Sequence, residues 1–122
     1  MDFKSTKSIF SQIGDDVKDK ILRGEYQETA KIPSTRELAG VVGVNPNTTI
    51  KAYAALQQEG IIFTQRGKGY FVAEGAKEII LERKKKEFLE EILPETVVQA
   101  MKLEISLEEL QNDIKTLYHE KK

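Results

Sequence analysis

The chain has 122 residues, 39% hydrophobic and 32% charged, with a formal net charge of -1 and no cysteine. That length fits one compact domain, or a small domain with a helical arm, and the missing cysteine excludes disulfide frameworks, thiolate zinc sites and cysteine nucleophiles. No apolar run is long enough to span a bilayer, and Met1 to Lys4 lack the apolar stretch of a secretory signal, so no membrane partner and a cytoplasmic location are expected.

The first predicted helix runs from about Ser8 to Arg23. Ile9, Ile13, Val17 and Ile21 recur every four residues as an apolar stripe, and Gly24 follows as a terminator. Glu25 to Ile32 is polar and shows no clear period. Ser34-Thr35-Arg36-Glu37 is a capping-box pattern, in which the serine hydroxyl and the glutamate carboxylate satisfy each other's backbone N–H. It opens a short second helix with Leu38, Ala39 and Val42 facing inward, ended by Gly43. One residue later, Asn45 is a good N-cap and Pro46 suits a first helical position. The third helix this starts offers Ile50, Tyr53, Ala54 and Leu56 to the core, and Gly60 stops it.

Two short helices joined so tightly form a helix-turn-helix. The period then changes. Ile61 to Thr64 and Tyr70 to Val72 read as strands around the turn Gln65-Arg66-Gly67-Lys68-Gly69, which makes a β-hairpin with a basic tip. From about Gly75 the pattern is helical again. Ile79, Ile80, Leu81, Phe88, Leu89, Ile92 and Leu93 mark an amphipathic segment, and Pro94 either kinks it or begins a new helix. Val97, Val98, Met101 and Leu103 continue the stripe. Ser106 to Glu109 is a second capping box, with Ile105 and Leu110 placed as a staple, and the last helix carries Leu107, Leu110, Ile114 and Leu117. The expected fold is mainly α with a small β-hairpin: a winged helix-turn-helix over residues 1–73, followed over residues 74–122 by a short helical arm for dimerisation and any effector response.

The major groove admits one α-helix, whose first residues reach base edges. The third helix opens with Asn45-Pro46-Asn47-Thr48-Thr49, short and polar where a core helix would place bulk, and Lys51 lies one turn beyond Asn47. Asparagine can pair with adenine, and threonine can donate to phosphate or touch a thymine methyl. Arg36 sits in the first turn of the preceding helix, and Arg66 and Lys68 flank Gly67 at the hairpin tip. Simple capping explains Asn45 alone; four polar residues at this place in a helix-turn-helix point to duplex DNA. Charge agrees mildly, with 10 Lys/Arg against 8 Asp/Glu in residues 1–73 and 9 against 12 in residues 74–122.

Three runs together resemble the DNA-binding domain of GntR-family regulators: Lys31-Ile32-Pro33-Ser34-Thr35-Arg36-Glu37-Leu38-Ala39, Val44-Asn45-Pro46-Asn47-Thr48, and Arg66-Gly67-Lys68-Gly69-Tyr70-Phe71-Val72. The resemblance covers about residues 8 to 73, and the short C-terminal part is similar to that of the YtrA-like subfamily. It implies DNA contacts from Arg36, from Asn45, Asn47, Thr48, Thr49 and Lys51, and from the wing residues Arg66, Gly67 and Lys68. It also implies repression of a neighbouring operon, often one encoding an ABC transporter, and it allows a small-molecule effector without identifying one. Many members carry arginine where this chain has Pro46 and Ile50, so their operators do not transfer to it.

About fifty residues follow the wing, too few for a separate ligand domain, and their apolar stripes exceed what one small winged domain can cover. A symmetric homodimer on a palindromic operator is the expected use; packing of these helices on their own N-terminal domain is the alternative. The Arg83 to Lys86 run reads as a solvated helix face, or as contacts to flanking phosphates. An enzyme has little support: there is no phosphate loop or paired-carboxylate motif, and the one histidine, His119, stands near the end of the chain without partners. No cofactor, metal or catalytic residue is expected. A winged-helix module that binds protein through its hairpin is the other rival, and clustered cations on the recognition face argue against it.

Overall fold

A computed structural model describes residues 7–121, so the reading of Met1 to Lys4 lies outside the described residues. They form two compact units divided after Arg83. The first unit contains α1 (Ile9–Leu22), α2 (Thr35–Val42), α3 (Pro46–Gln58), the antiparallel strands β1 (Ile62–Gln65) and β2 (Gly69–Val72), and most of α4 (Ala76–Glu87). This is the expected winged helix-turn-helix.

Helix α1 is capped by Ser8, whose hydroxyl accepts from the Ser11 N–H, and it buries Ile13, Gly14, Val17 and Ile21. Ile9, expected in the same stripe, is exposed. At 3.6 residues per turn each four-residue step overshoots by about 40°, so a row of four such positions sweeps about 120° and one end leaves the packed sector. The buried band runs instead through Gly14, whose bare Cα faces α3: a Cβ there would lie 3.9 Å from Leu56 Cδ2. Val42 of α2 is likewise exposed where an inward face was expected, leaving Leu38 and Ala39 to pack. Gly43 closes α2 in the left-handed region at φ 82°. This lets the chain turn at once into Asn45, the cap of α3.

In α3 the buried row is Thr49, Ala52, Tyr53 and Leu56, spaced as one face of a helix. Ile50 and Ala54, expected in the core, stand on the opposite, exposed side. The hairpin pairs Ile62 with Val72, Phe63 with Phe71, Thr64 with Tyr70 and Gln65 with Gly69. Alternation sends Ile62 and Val72 inward, while Phe63 and Phe71 stack on the outer face with centroids 5.6 Å apart. A third backbone segment lines the hairpin. Thr29 N–H donates to Val72 O at 2.8 Å, Val72 N–H to Ala30 O at 3.0 Å and Ile32 N–H to Tyr70 O at 3.0 Å, and Lys31 lies opposite Phe71. The polar stretch without a period is therefore partly an edge of the sheet.

Ala76 and Ile80 of α4 complete the core with Ile13, Val17, Ile21, Leu38, Tyr53, Leu56, Ile61 and Val72. For this reason the first unit extends past the boundary expected at residue 73. Two polar devices hold α4. The Glu28 carboxylate accepts from the N–H groups of Gly75 at 2.9 Å and Lys77 at 3.2 Å, capping the helix from a loop far earlier in the chain. Glu59 Oε1 receives both Lys18 Nζ at 3.0 Å and Arg83 Nη1 at 3.2 Å, which joins α1, the end of α3 and α4.

The second unit holds the end of α4, a π-helical turn (Phe88–Ile92), α5 (Leu93–Lys102) and α6 (Leu107–Lys121). In the wide turn the Leu93 N–H reaches back to Phe88 O. Pro94, the second residue of α5, has no N–H of its own. The extra residue in the turn makes room for the proline ring without ending the helical path. Ser106 Oγ accepts from the Glu109 N–H at 3.1 Å and starts α6 as expected. Ala100 is the one buried residue among the described residues of this unit. Phe88, Leu89, Ile92, Leu93, Val97 and Val98 are between 38% and 49% exposed, and Met101, Leu103 and Leu107 are 70% exposed. No helix among the described residues is long and apolar enough to cross a membrane.

Candidate nucleic-acid interface

The candidate interface lies at the start of α3, and two side chains on the opposite face of that helix fix its position. Thr49 is 0% exposed. Its hydroxyl lies 2.7 Å from the carbonyl oxygen of Thr35 and 2.9 Å from that of Pro46, sharing one proton between two acceptors. That ties the first turn of α3 to the first turn of α2. Thr49 was expected among the DNA contacts; it is a buried strut instead, because its position falls on the inward row with Ala52, Tyr53 and Leu56 and its hydroxyl is consumed by backbone. Tyr53, also fully buried, donates its hydroxyl to Pro33 O at 2.7 Å. Burial, then the neighbouring Tyr26, Tyr70 and Glu37, raise its pKa above the usual phenol value, so it stays a neutral donor. Its ring meets Tyr70 of β2 edge-on at 4.7 Å. Through Thr49 and Tyr53, α3 is held to α2, to the strand-like segment before it, and to the wing.

With that face fixed inward, Asn47, Ile50, Lys51 and Ala54 form the outward row, all exposed. Asn45 is exposed too, but its side-chain oxygen accepts from the Asn47 N–H at 2.8 Å. Its amide NH2 therefore remains to donate, which suits a phosphate better than paired base recognition. Thr48 is half-buried beside it. Arg36 is exposed in the first turn of α2, where the capping box forms in full: Ser34 N–H donates to Glu37 Oε1 at 2.9 Å and Glu37 N–H to Ser34 Oγ at 3.0 Å. The Ser34 N–H, then its hydroxyl, hold the Glu37 carboxyl below its ordinary value. The cap is thus an ionised one, and the carboxylate is already engaged by backbone.

Arg66, Gly67 and Lys68 occupy the hairpin tip and are exposed, with the Lys68 N–H closing the turn on Gln65 O at 2.9 Å. The sheet adds a cation that sequence reasoning missed. Lys31 is exposed and runs along the outer wing so closely that a Cβ on Gly69 would lie 3.1 Å from Lys31 Cε. Arg36, Asn45, Asn47, Thr48, Lys51, Arg66, Gly67 and Lys68 all belong to elements of the first unit, and Thr49 alone among the expected contacts is withdrawn inside it.

The sequence signature of the gntR family of bacterial regulatory proteins matches residues 10–72. The chain belongs to the GntR family. It is similar to the HTH-type transcriptional repressor YtrA of Bacillus subtilis, with 38% identity over 117 residues, 96% of this chain and 89% of that protein. The structure of a GntR-family transcriptional regulator from Bacteroides thetaiotaomicron matches it with a TM-score of 0.80 at 36% identity, covering 94% of this chain and 100% of that one. The DNA-binding domain of AraR in complex with operator ORR3 matches with a TM-score of 0.51 at 31% identity, over 52% of this chain and 77% of that chain. As a GntR protein the chain is a DNA-binding transcriptional regulator, and not an enzyme.

Proposed function

We propose that this GntR regulator is a repressor, as its relative YtrA is named, and that it acts on a neighbouring operon by binding a palindromic operator as a cytoplasmic homodimer. Arg36 of α2 and the tip residues Arg66, Gly67 and Lys68 contact phosphate or the minor groove; Asn45 and Thr48 anchor the start of α3; Asn47 and Lys51 enter the major groove. The observation that carries this reading is the outward row of α3, left free of core packing and held between α2 and a cationic wing by Thr49 and Tyr53. An ABC-transporter operon is the first target to examine, and a small-molecule effector would act on whichever arrangement of the dimer fits the operator.

The dimer rests on the arm. With Ala100 alone buried, residues 84–121 have no core of their own, and apolar faces as extensive as this are found where a partner covers them. A second copy, related by a two-fold axis, would place like faces together. The test combines footprinting on the chain's own promoter region with a salt titration of the footprinted duplex. With about six phosphates contacted, log affinity falls with a slope near about -5 against log salt. Arg36→Ala and Arg66→Ala each reduce that slope by about 1 and weaken all sequences alike, whereas Asn47→Ala costs about 1–3 kcal/mol at one base position. Salt-independent binding, or an equal loss on operator and random DNA for Asn47→Ala, would reject the assignment.

A further inference from the structure

We infer that Ile50 is a specificity-determining residue that reads the C5-methyl group of a thymine in the major groove; the inference rests on the outward row of α3 being the DNA-facing one. Ile50 is 48% exposed in the middle of that row, three residues after Asn47 and one before Lys51. The inward face of the same helix is already filled by Thr49, Ala52, Tyr53 and Leu56, so Ile50 is not a core residue displaced by poor packing. A β-branched side chain in a helix holds essentially one χ1 rotamer, so the γ2 methyl of Ile50 is presented at little ordering cost. Ala54, one turn on, is small and exposed, which leaves the approach to Ile50 clear.

The partner follows from chemistry. Phosphate is charged, and among base edges in the major groove the thymine methyl is the apolar feature. Asn47 and Ile50 lie about 4.5 Å apart along the helix axis, near enough to serve one half-site. An asparagine suited to adenine and an isoleucine suited to thymine therefore favour A·T pairs within each half-site.

The full chain is used to select duplexes from a randomised pool, and each thymine of one half-site is then replaced by uracil, which removes only the methyl. For the unaltered protein one replacement lowers affinity about fourfold, the factor for losing one buried apolar carbon. Ile50→Ala, at an exposed position, keeps the thermal transition and binds the thymine and uracil duplexes equally at that site. Selected half-sites without thymine, a uracil effect that persists in Ile50→Ala, or indifference of the unaltered protein to every replacement would each overturn the inference. Salt-dependent binding to the selected duplexes would survive those outcomes and leave the DNA-binding reading intact. Failure to enrich any sequence would sink both.

Discussion

The two units of this chain solve the burial problem in opposite ways. In the winged unit every large side chain with relative exposure near zero has an internal partner: Tyr53 meets Tyr70, and Leu56 faces Gly14. In the arm, leucines, valines and a phenylalanine at helical spacing remain at least 38% exposed, and one alanine is buried. The winged unit closes its own core, whereas the arm leaves its apolar faces open. On the proposed reading, such a chain separates the reading of DNA, which needs a rigid surface, from assembly, which needs an unsatisfied one.

The sharpest break in that contrast comes from cutting the same kind of atoms in each place. Leu56→Ala removes apolar volume from a closed core against Gly14 and α1, and it should cost about 2–5 kcal/mol in the thermal or denaturant unfolding of the winged unit. A cost below about 1 kcal/mol would mean that the core is looser than its burial indicates. Val97→Asp acts on the open face. It should leave the far-UV spectrum of the winged unit in place and convert the dimer to a monomer in sedimentation. Operator affinity should fall by about 100-fold or more as the second half-site becomes an independent binding event. If Val97→Asp leaves the assembly state unchanged, the arm is not the interface.

Within the winged unit, Thr49 separates positioning from contact. Thr49→Val keeps the shape but removes the donor, leaving the carbonyl of Thr35 short of a partner. The expected loss is about 1–3 kcal/mol of stability, seen equally with and without DNA. A loss of affinity at unchanged stability would restore Thr49 to the interface.

What the sequence revealed and what it hid divide along a physical line. Features settled within a few residues were legible: the Ser34–Glu37 box, the Asn45-Pro46 start, the Gly43 stop and the hairpin around Gly67 all form where their local chemistry placed them. The periodicity of each helix was legible too, but its phase was not. Thr49 reads as a surface residue and is buried on the inward row of α3, its hydroxyl donating to a carbonyl 14 positions earlier. Ile50 reads as core and is exposed because the neighbouring elements pack on the other side of α3. The edge segment around Lys31 carries no strand pattern, since its order comes from hydrogen bonds to β2. Likewise nothing near Gly75 announces the cap of α4, because the residue that supplies it is Glu28.

That distant cap makes the smallest and most specific prediction. Hydrogen bonds from the N–H groups of Gly75 and then Lys77 lower the Glu28 carboxyl below its ordinary pKa of 4.5. The unfolded chain, with the ordinary value, takes up its proton first as pH falls, so acid favours unfolding. The stabilisation from Glu28 is therefore complete above pH 4.5 and is lost as pH drops through the lower, folded value. Glu37, held down in the same direction by Ser34, contributes over the same range. Glu28→Gln should remove part of the acid sensitivity of the winged unit while changing its midpoint near neutral pH only slightly, since an amide oxygen still accepts one of the two bonds. The check is a set of thermal transitions from pH 3 to 7 for both proteins. Parallel curves would show that the carboxylate cap on α4 carries no weight in solution, and that the loop before α2 is not what secures the helix at the junction between the two units.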